Sequence, residues 1–283
     1  LEAPATVIAA PISRSFGHGT CFRPWIARVK RPKAALWVCN RPFHPLPERA
    51  RYATGFAWLE TDTDTRKSNL IIACLHTADS NIAVFEAAAR ELGLAADVLV
   101  HAVRPDLLVA AERSGGLTED IAGQTVAALS ALVAGSDAVI LTCSTLGPSI
   151  AAIGATPVPV LRTDAALAEQ AVTSGGKVVA LCAVETTVMP TTVLFAAAAE
   201  RKGAALDVRL VPGAWGLFKT GDGEGYLAAV AAAAEAAYED GADIVALAQA
   251  SMAGAADRVR NGPRPLTSPA AGLGAALELL ASF

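Results

Sequence analysis

The sequence predicts an α/β protein with two similar lobes. Each has a mostly parallel sheet flanked by helices, the two are related by a pseudo-twofold duplication, and a cleft lies between them. Three observations carry this prediction. Short apolar runs alternate with segments of helical period from residue 69 onward, the order of these segments recurs in the second half of the chain, and composition changes near residue 68.

The change in composition sets the domain boundary. Residues 1–68 hold 11 Lys and Arg against 5 Asp and Glu, a net of +6, whereas the remainder holds 12 against 22, a net of −10. The first part also carries Trp25, Trp37 and Trp58, and it sustains no helical or strand period beyond "KAALWVCN". It reads as a basic N-terminal extension, flexible or outside the fold. Its charge is too modest, and its pattern too irregular, for a nucleic-acid or membrane arm.

The acidic part excludes a nucleic-acid partner. No apolar run reaches the ~20 residues of a membrane-spanning helix, so no membrane partner is expected, and no secretory signal pattern opens the chain. The five cysteines, at 21, 39, 74, 143 and 182, are odd in number and form no CxxC pair. They read as reduced thiols of a cytoplasmic protein, and no metal ligand set is expected from their spacing.

Residues 69–283 form the two-lobed unit, with 53% hydrophobic residues in the whole chain to build its core. "NLIIACLHT" is a first strand, "NIAVFEAAARELG" a helix stopped by Gly93, and "ADVLVHAV" a second strand. "TEDIAGQTVAALSALVAG" is a helix with a Thr cap and acidic first turn, and "DAVILTCST" a third strand. After a crossing segment, "GATPVPVLRTDAALAEQAVTSGG", the series restarts. "KVVALCAVETTVMPTTVLFAAAAERKG" matches the first strand and helix, "LDVRLVPG" the second strand, and "YLAAVAAAAEAAYEDGADIVALAQASMAG" the second helix and third strand.

The lobe halves span about residues 69–160 and 177–265, with the C-terminal helix packing back. Ligands of open α/β sheets bind outside the carboxyl ends of the strands, so two facing halves enclose one pocket. The duplication puts Cys143 and Gln249 at equivalent places, each just past the third strand of its half.

A two-lobed chain with "TCSTLGPS" after its third strand and "GADIVALAQASMAG" late in its second half resembles the aspartate/glutamate racemase superfamily. The resemblance covers about residues 69–283. It implies a cofactor-independent isomerase of the amino-acid racemase type, with a small carboxylate or amino-acid-like substrate and commonly a homo-oligomeric state. It also implies one catalytic cysteine per lobe. Removing a proton α to a carboxylate needs a base on one face, an acid on the other, and donors that hold the carboxylate. A thiol suits both roles, and nearby N–H dipoles can bring its pKa toward neutrality.

Carried over residue by residue, Cys143 matches the first catalytic cysteine, and Ser144 and Thr145 match the carboxylate donors beside it. The loop His76–Asn81 matches the segment of polar contacts, with Ser80 and Asn81 its better candidates. Thr186 and Thr187 stand in the equivalent loop of the second lobe. Gln249 occupies the place of the second cysteine, and it cannot titrate near neutral pH. Three outcomes follow: one-sided chemistry at Cys143, as in the single-cysteine arylmalonate decarboxylases, whose cysteine belongs to the other lobe; replacement of the missing partner by His76 or His101; or binding of a small carboxylate without turnover.

Cys74 and Cys182 lie inside apolar strands and read as core. Helix capping is an alternative role for Ser80, Asn81, Thr186 and Thr187. "GDGEG" at 221–225 lacks the spacing of a phosphate or calcium loop and reads as a mobile segment near the pocket mouth. "VPGAW" at 211–215 is placed to shape the side-chain pocket.

Overall fold

The computed structural model describes residues 70–282. The expectation for residues 1–68 lies outside the described residues. The first lobe runs β1 (Ile72–His76), α1 (Ser80–Glu91), β2 (Leu99–Val103), α2 (Pro105–Arg113), α3 (Glu119–Val133), β3 (Ala138–Leu141), a 3₁₀ segment (Gly147–Ala152) and β4 (Val160–Arg162). Helix α4 (Thr163–Ala171) follows the first lobe's last strand, and the second lobe repeats the plan with β5 (Lys177–Cys182), α5 (Glu185–Lys202), β6 (Ala205–Leu210), α6 (Ala214–Lys219), α7 (Gly223–Glu239), β7 (Ile244–Leu247), a 3₁₀ segment (Ala250–Arg258) and β8 (Leu266–Thr267), followed by α8 (Ser268–Ala281).

Two four-stranded sheets result, ordered β2-β1-β3-β4 and β6-β5-β7-β8, and every pairing is parallel. The continuous apolar runs of the sequence have this cause. A central parallel strand is covered on both faces, so alternate residues serve different layers. Ile72 and Cys74 of β1 pack with Phe85 of α1, whereas Ala73 and Leu75 pack with Leu107 of α2 and Leu129 of α3. The expected two-lobed α/β architecture is observed.

Each sheet has a fourth strand beyond the three that hydrophobic period reveals. β4 and β8 are three and two residues long, too short for any period to show. The helices that follow them change sides. Leu167, Ala168 and Ala171 of α4 pack with Val178, Phe195 and Ala246 of the second lobe, while Leu273 and Ala276 of α8 pack with Ile72, Phe85 and Ile140 of the first. The exchange locks the lobes together. Where α8 meets α4 the side chain is Gly272, because a Cβ there would collide with Thr163.

Strand register fixes the equivalence of the halves. Leu75 pairs with Leu141, and Leu181 pairs with Leu247. Counting on from these pairs, Thr77 corresponds to Ala183, Asn81 to Thr187, and Cys143 to Gln249.

Candidate active site

The candidate pocket lies between the lobes, outside the carboxyl ends of β1, β3, β5 and β7, where the loop after each strand reaches the other half. In each sheet the chain reverses its direction of travel between the two central strands, and such a switch point opens a crevice for a ligand.

Cys143 lines this pocket and is half-buried, whereas Cys74 and Cys182 are fully buried in the sheets. Burial pushes the Cys143 thiol above its ordinary range. The Thr77 hydroxyl and the Leu146 and Thr145 amides pull against this, and the negative charge of Asp164 adds to the rise. The dipoles expected around the thiol are therefore in place, but desolvation outweighs them and the net direction is upward. Asp164 is itself almost fully buried, held by the Arg162 guanidinium through two hydrogen bonds of 2.6 Å. Gly147 gives that guanidinium room, since a Cβ there would collide with it.

Across the pocket, Gln249 is not free. Its Oε1 accepts from the amides of Ala183 at 2.5 Å and Val184 at 3.0 Å. These amides lie just before α5, and of the two residues Val184 lines the pocket, so the glutamine occupies donors at the second lobe's side of it. The two equivalent positions thus hold a titratable thiol with donors aimed at it, and a neutral amide with its acceptor spent.

No protein-family model matches the chain, and no curated protein matches it. Solved structures do. The aspartate racemase of Picrophilus torridus superposes with a TM-score of 0.60 at 14% identity, covering 75% of this chain and 94% of that one. Glutamate racemase isoform RacE1 of Bacillus anthracis follows at 0.55 and 16%, covering 75% and 81%, and the allantoin racemase of Pseudomonas fluorescens at 0.52 and 19%, covering 75% and 92%. The chain has the aspartate/glutamate racemase fold.

On this racemase fold the remaining candidates divide. Asn81 and Thr187 line the pocket, and Asn81 Oδ1 is buried there without a partner. Ser80 is exposed on α1 and does not line it. Ser144 and Thr145 line it, but their hydroxyls tie the lobes together. Ser144 donates to the Ala248 carbonyl at 3.0 Å, and Thr145 Oγ1 lies 3.2 Å from Thr186 Oγ1 and 3.1 Å from Thr187 Oγ1. Thr186 reaches the site only through this contact. Neither α1 nor α5 has a side-chain cap bond, so capping does not account for their opening residues.

His76 and His101 are not among the pocket residues. The reason is strand alternation: His76 follows Cys74 by two residues and shares its face, so its ring turns under α1 and packs on Phe85 with ring centroids 5.0 Å apart. Its neighbour Thr77 turns into the cleft instead, and within the loop from 76 to 81 the contact to the thiol comes from Thr77.

The pocket has a cover. Leu108 of α2 and Trp215 and Phe218 of α6 close it from opposite lobes. Trp215 stacks on Phe218 at 4.8 Å, and its Nε1 donates to Glu112 Oε1 of α2 at 2.6 Å. "VPGAW" thus delivers the covering indole, while "GDGEG" forms no mobile cover. Asp222 caps α7, accepting from the Gly225 amide at 2.9 Å. With the cover in place the cavity has about 30 Å³ of free space, room for a water or two.

Proposed function

We propose that this chain is an enzyme of the isomerase type that moves a proton α to a carboxylate or carbonyl of a small molecule, with Cys143 as its acid/base group. The observation that carries the reading is the environment of that thiol. It is the one ionisable side chain among the residues that line the pocket, and a hydroxyl and two amides converge on its sulfur. Those donors stabilise a thiolate as it forms, and the side-chain amide nitrogen of Asn81, which lines the pocket, is the donor proposed to hold a carboxylate.

The state of Gln249 favours one-face chemistry over two-base racemisation. As a base, the Cys143 thiolate takes the α proton, the electron pair passes into an enediolate, and the thiol returns a proton to the same face. As an acid, the thiol protonates an enediolate formed by loss of carbon dioxide or by isomerisation. The raised thiol keeps Cys143 protonated at rest, which suits the second direction. A single-cysteine isomerase or decarboxylase is therefore the preferred form of the activity. No cofactor enters these steps.

Alkylation of the thiols, read residue by residue by mass spectrometry, tests the site. Iodoacetamide is expected to modify Cys143 well before Cys74 and Cys182, and small dicarboxylates are expected to protect it. Labelling of Cys143 that no carboxylate slows would overturn the proposal.

A further inference from the structure

On the α1 side of the first sheet, behind the pocket-lining Thr142, Cys74, His76 and His101 form a cluster in which one sulfur and two ring nitrogens lie within 4.8 Å of one another. Parallel pairing puts them there. Cys74 and His76 are two residues apart on β1, and His101 stands opposite Cys74 on β2, so all three share one face of the sheet.

Hydrogen bonding sets the protons. Thr142 Oγ1 donates to the Leu75 carbonyl at 3.0 Å, so its oxygen must accept from His76 Nδ1 at 2.9 Å. Burial, aided by the neighbouring His101, pushes the His76 pKa down to about 4, leaving a neutral ring with a bare Nε2. That nitrogen accepts from His101 Nδ1 at 2.9 Å. Burial also lowers the pKa of His101, against the charge of Glu86. The chain of bonds therefore ends in a bare His101 Nε2 that is buried without a partner.

The fold does not need this arrangement. By register the equivalent residues of the second lobe are Ala180, Cys182 and Val208, which continue an ordinary apolar layer. An orphaned buried nitrogen costs about 1–3 kcal/mol, so three polar groups gathered there need a reason.

We propose that Cys74, His76 and His101 bind one zinc-class metal ion, a site that braces the first lobe and takes no part in catalysis. One thiolate and two imidazoles are ligand types that such an ion takes, and they leave the fourth tetrahedral position to a water. Thr142 supplies the outer support that metal-bound histidines usually have: by holding the proton on Nδ1 of His76 it aims the Nε2 lone pair into the cluster. His101 can offer Nε2 by turning its ring, or Nδ1 by moving its proton. It is only partly buried, which gives the ion a way in. Bond lengths of ~2.0–2.3 Å place tetrahedral ligand atoms roughly 3.3–3.6 Å apart, so the cluster closes by about 1 Å around the ion. As the sulfur–metal bond forms, the Cys74 proton leaves to solvent, so affinity rises with pH. Glu86 offsets part of the remaining positive charge. Sequence spacing gives no warning of the site, because its ligands come from two strands joined by a helix.

The test uses the full chain, stripped with a chelator and titrated with zinc by calorimetry, beside Cys74→Ala and His101→Val. Valine is what the second lobe carries at the equivalent position. The wild type is expected to take up one more equivalent of zinc than either variant and to gain thermal stability that neither variant gains. Cobalt(II) in the wild type should show a thiolate-to-metal charge-transfer band that Cys74→Ala lacks. Equal zinc uptake by all three proteins, or a thiolate band that survives in Cys74→Ala, would overturn the proposal. If His101→Val folds poorly, the small truncation Cys74→Ala still decides the matter.

Discussion

In the first lobe the residue two places past the third strand is Cys143, a thiol on which Thr77 and two amides converge. At the same place in the second lobe Gln249 turns outward-facing amides into partners of its own side chain. The backbones of the two halves follow one plan, with the same strand order and register. A duplicated fold can thus keep its pocket while its two halves place different side chains in it. The same asymmetry recurs one layer down, where Cys74, His76 and His101 correspond by register to Ala180, Cys182 and Val208 of the other half.

Breaking the active half has the largest expected effect. Cys143→Ala should lower the rate of α-proton exchange by roughly 10²–10⁴-fold, the usual contribution of a positioned acid/base group, while thermal melting checks that the fold is retained. Restoring symmetry comes next. Gln249→Cys places a thiol opposite Cys143 and should add inversion of configuration to the products, as read by chiral chromatography. It should also cost about 1–3 kcal/mol in denaturant unfolding, because the amides of Ala183 and Val184 lose their acceptor.

Acid separates the lobes by the same logic. The folded pKa of His76 is lowered to about 4, below the ordinary ~6.5 of a histidine. The unfolded chain therefore binds the extra proton more readily. Stability is fully present above about pH 6.5 and is lost as pH falls through the folded value, by roughly 2–4 kcal/mol in metal-free protein. His101→Val, which removes one member of the pair, should flatten this decline in unfolding curves taken from pH 7 to pH 4.

A smaller effect concerns the exchange of helices. Gly272→Ala forces α8 away from Thr163 of α4 and should cost about 1–3 kcal/mol, as overpacking does. The smallest effect is on the cover. Trp215→Phe deletes the bond to Glu112 and should quicken iodoacetamide labelling of Cys143 several-fold while leaving the melting temperature nearly unchanged.

Much of this contrast was legible before any coordinates. Repeated segments predicted two parallel sheets, and aligning them put Gln249 opposite Cys143. Three kinds of feature were not legible. β4 and β8 are too short to show a period. The crossing of α4 and α8 to the opposite lobes is a tertiary choice that no local pattern records. The direction of a side chain at a strand end turns on a single residue, so His76 points under α1 while Thr77 enters the cleft. The sign of the Cys143 shift belongs with these: the dipoles around it can be guessed from "CSTLG", but the desolvation that outweighs them depends on how tightly the second lobe and the cover close.

The proposed activity is proton transfer from one face, at Cys143. Proton NMR in D₂O tests it most directly, following the α proton of enantiopure aspartate, glutamate and hydantoins with the wild type beside Cys143→Ala. Exchange with retention of configuration is expected, lost in Cys143→Ala, and climbing about tenfold per pH unit above neutrality until the raised thiol ionises. Inversion as fast as exchange, or exchange that survives without Cys143, would contradict it.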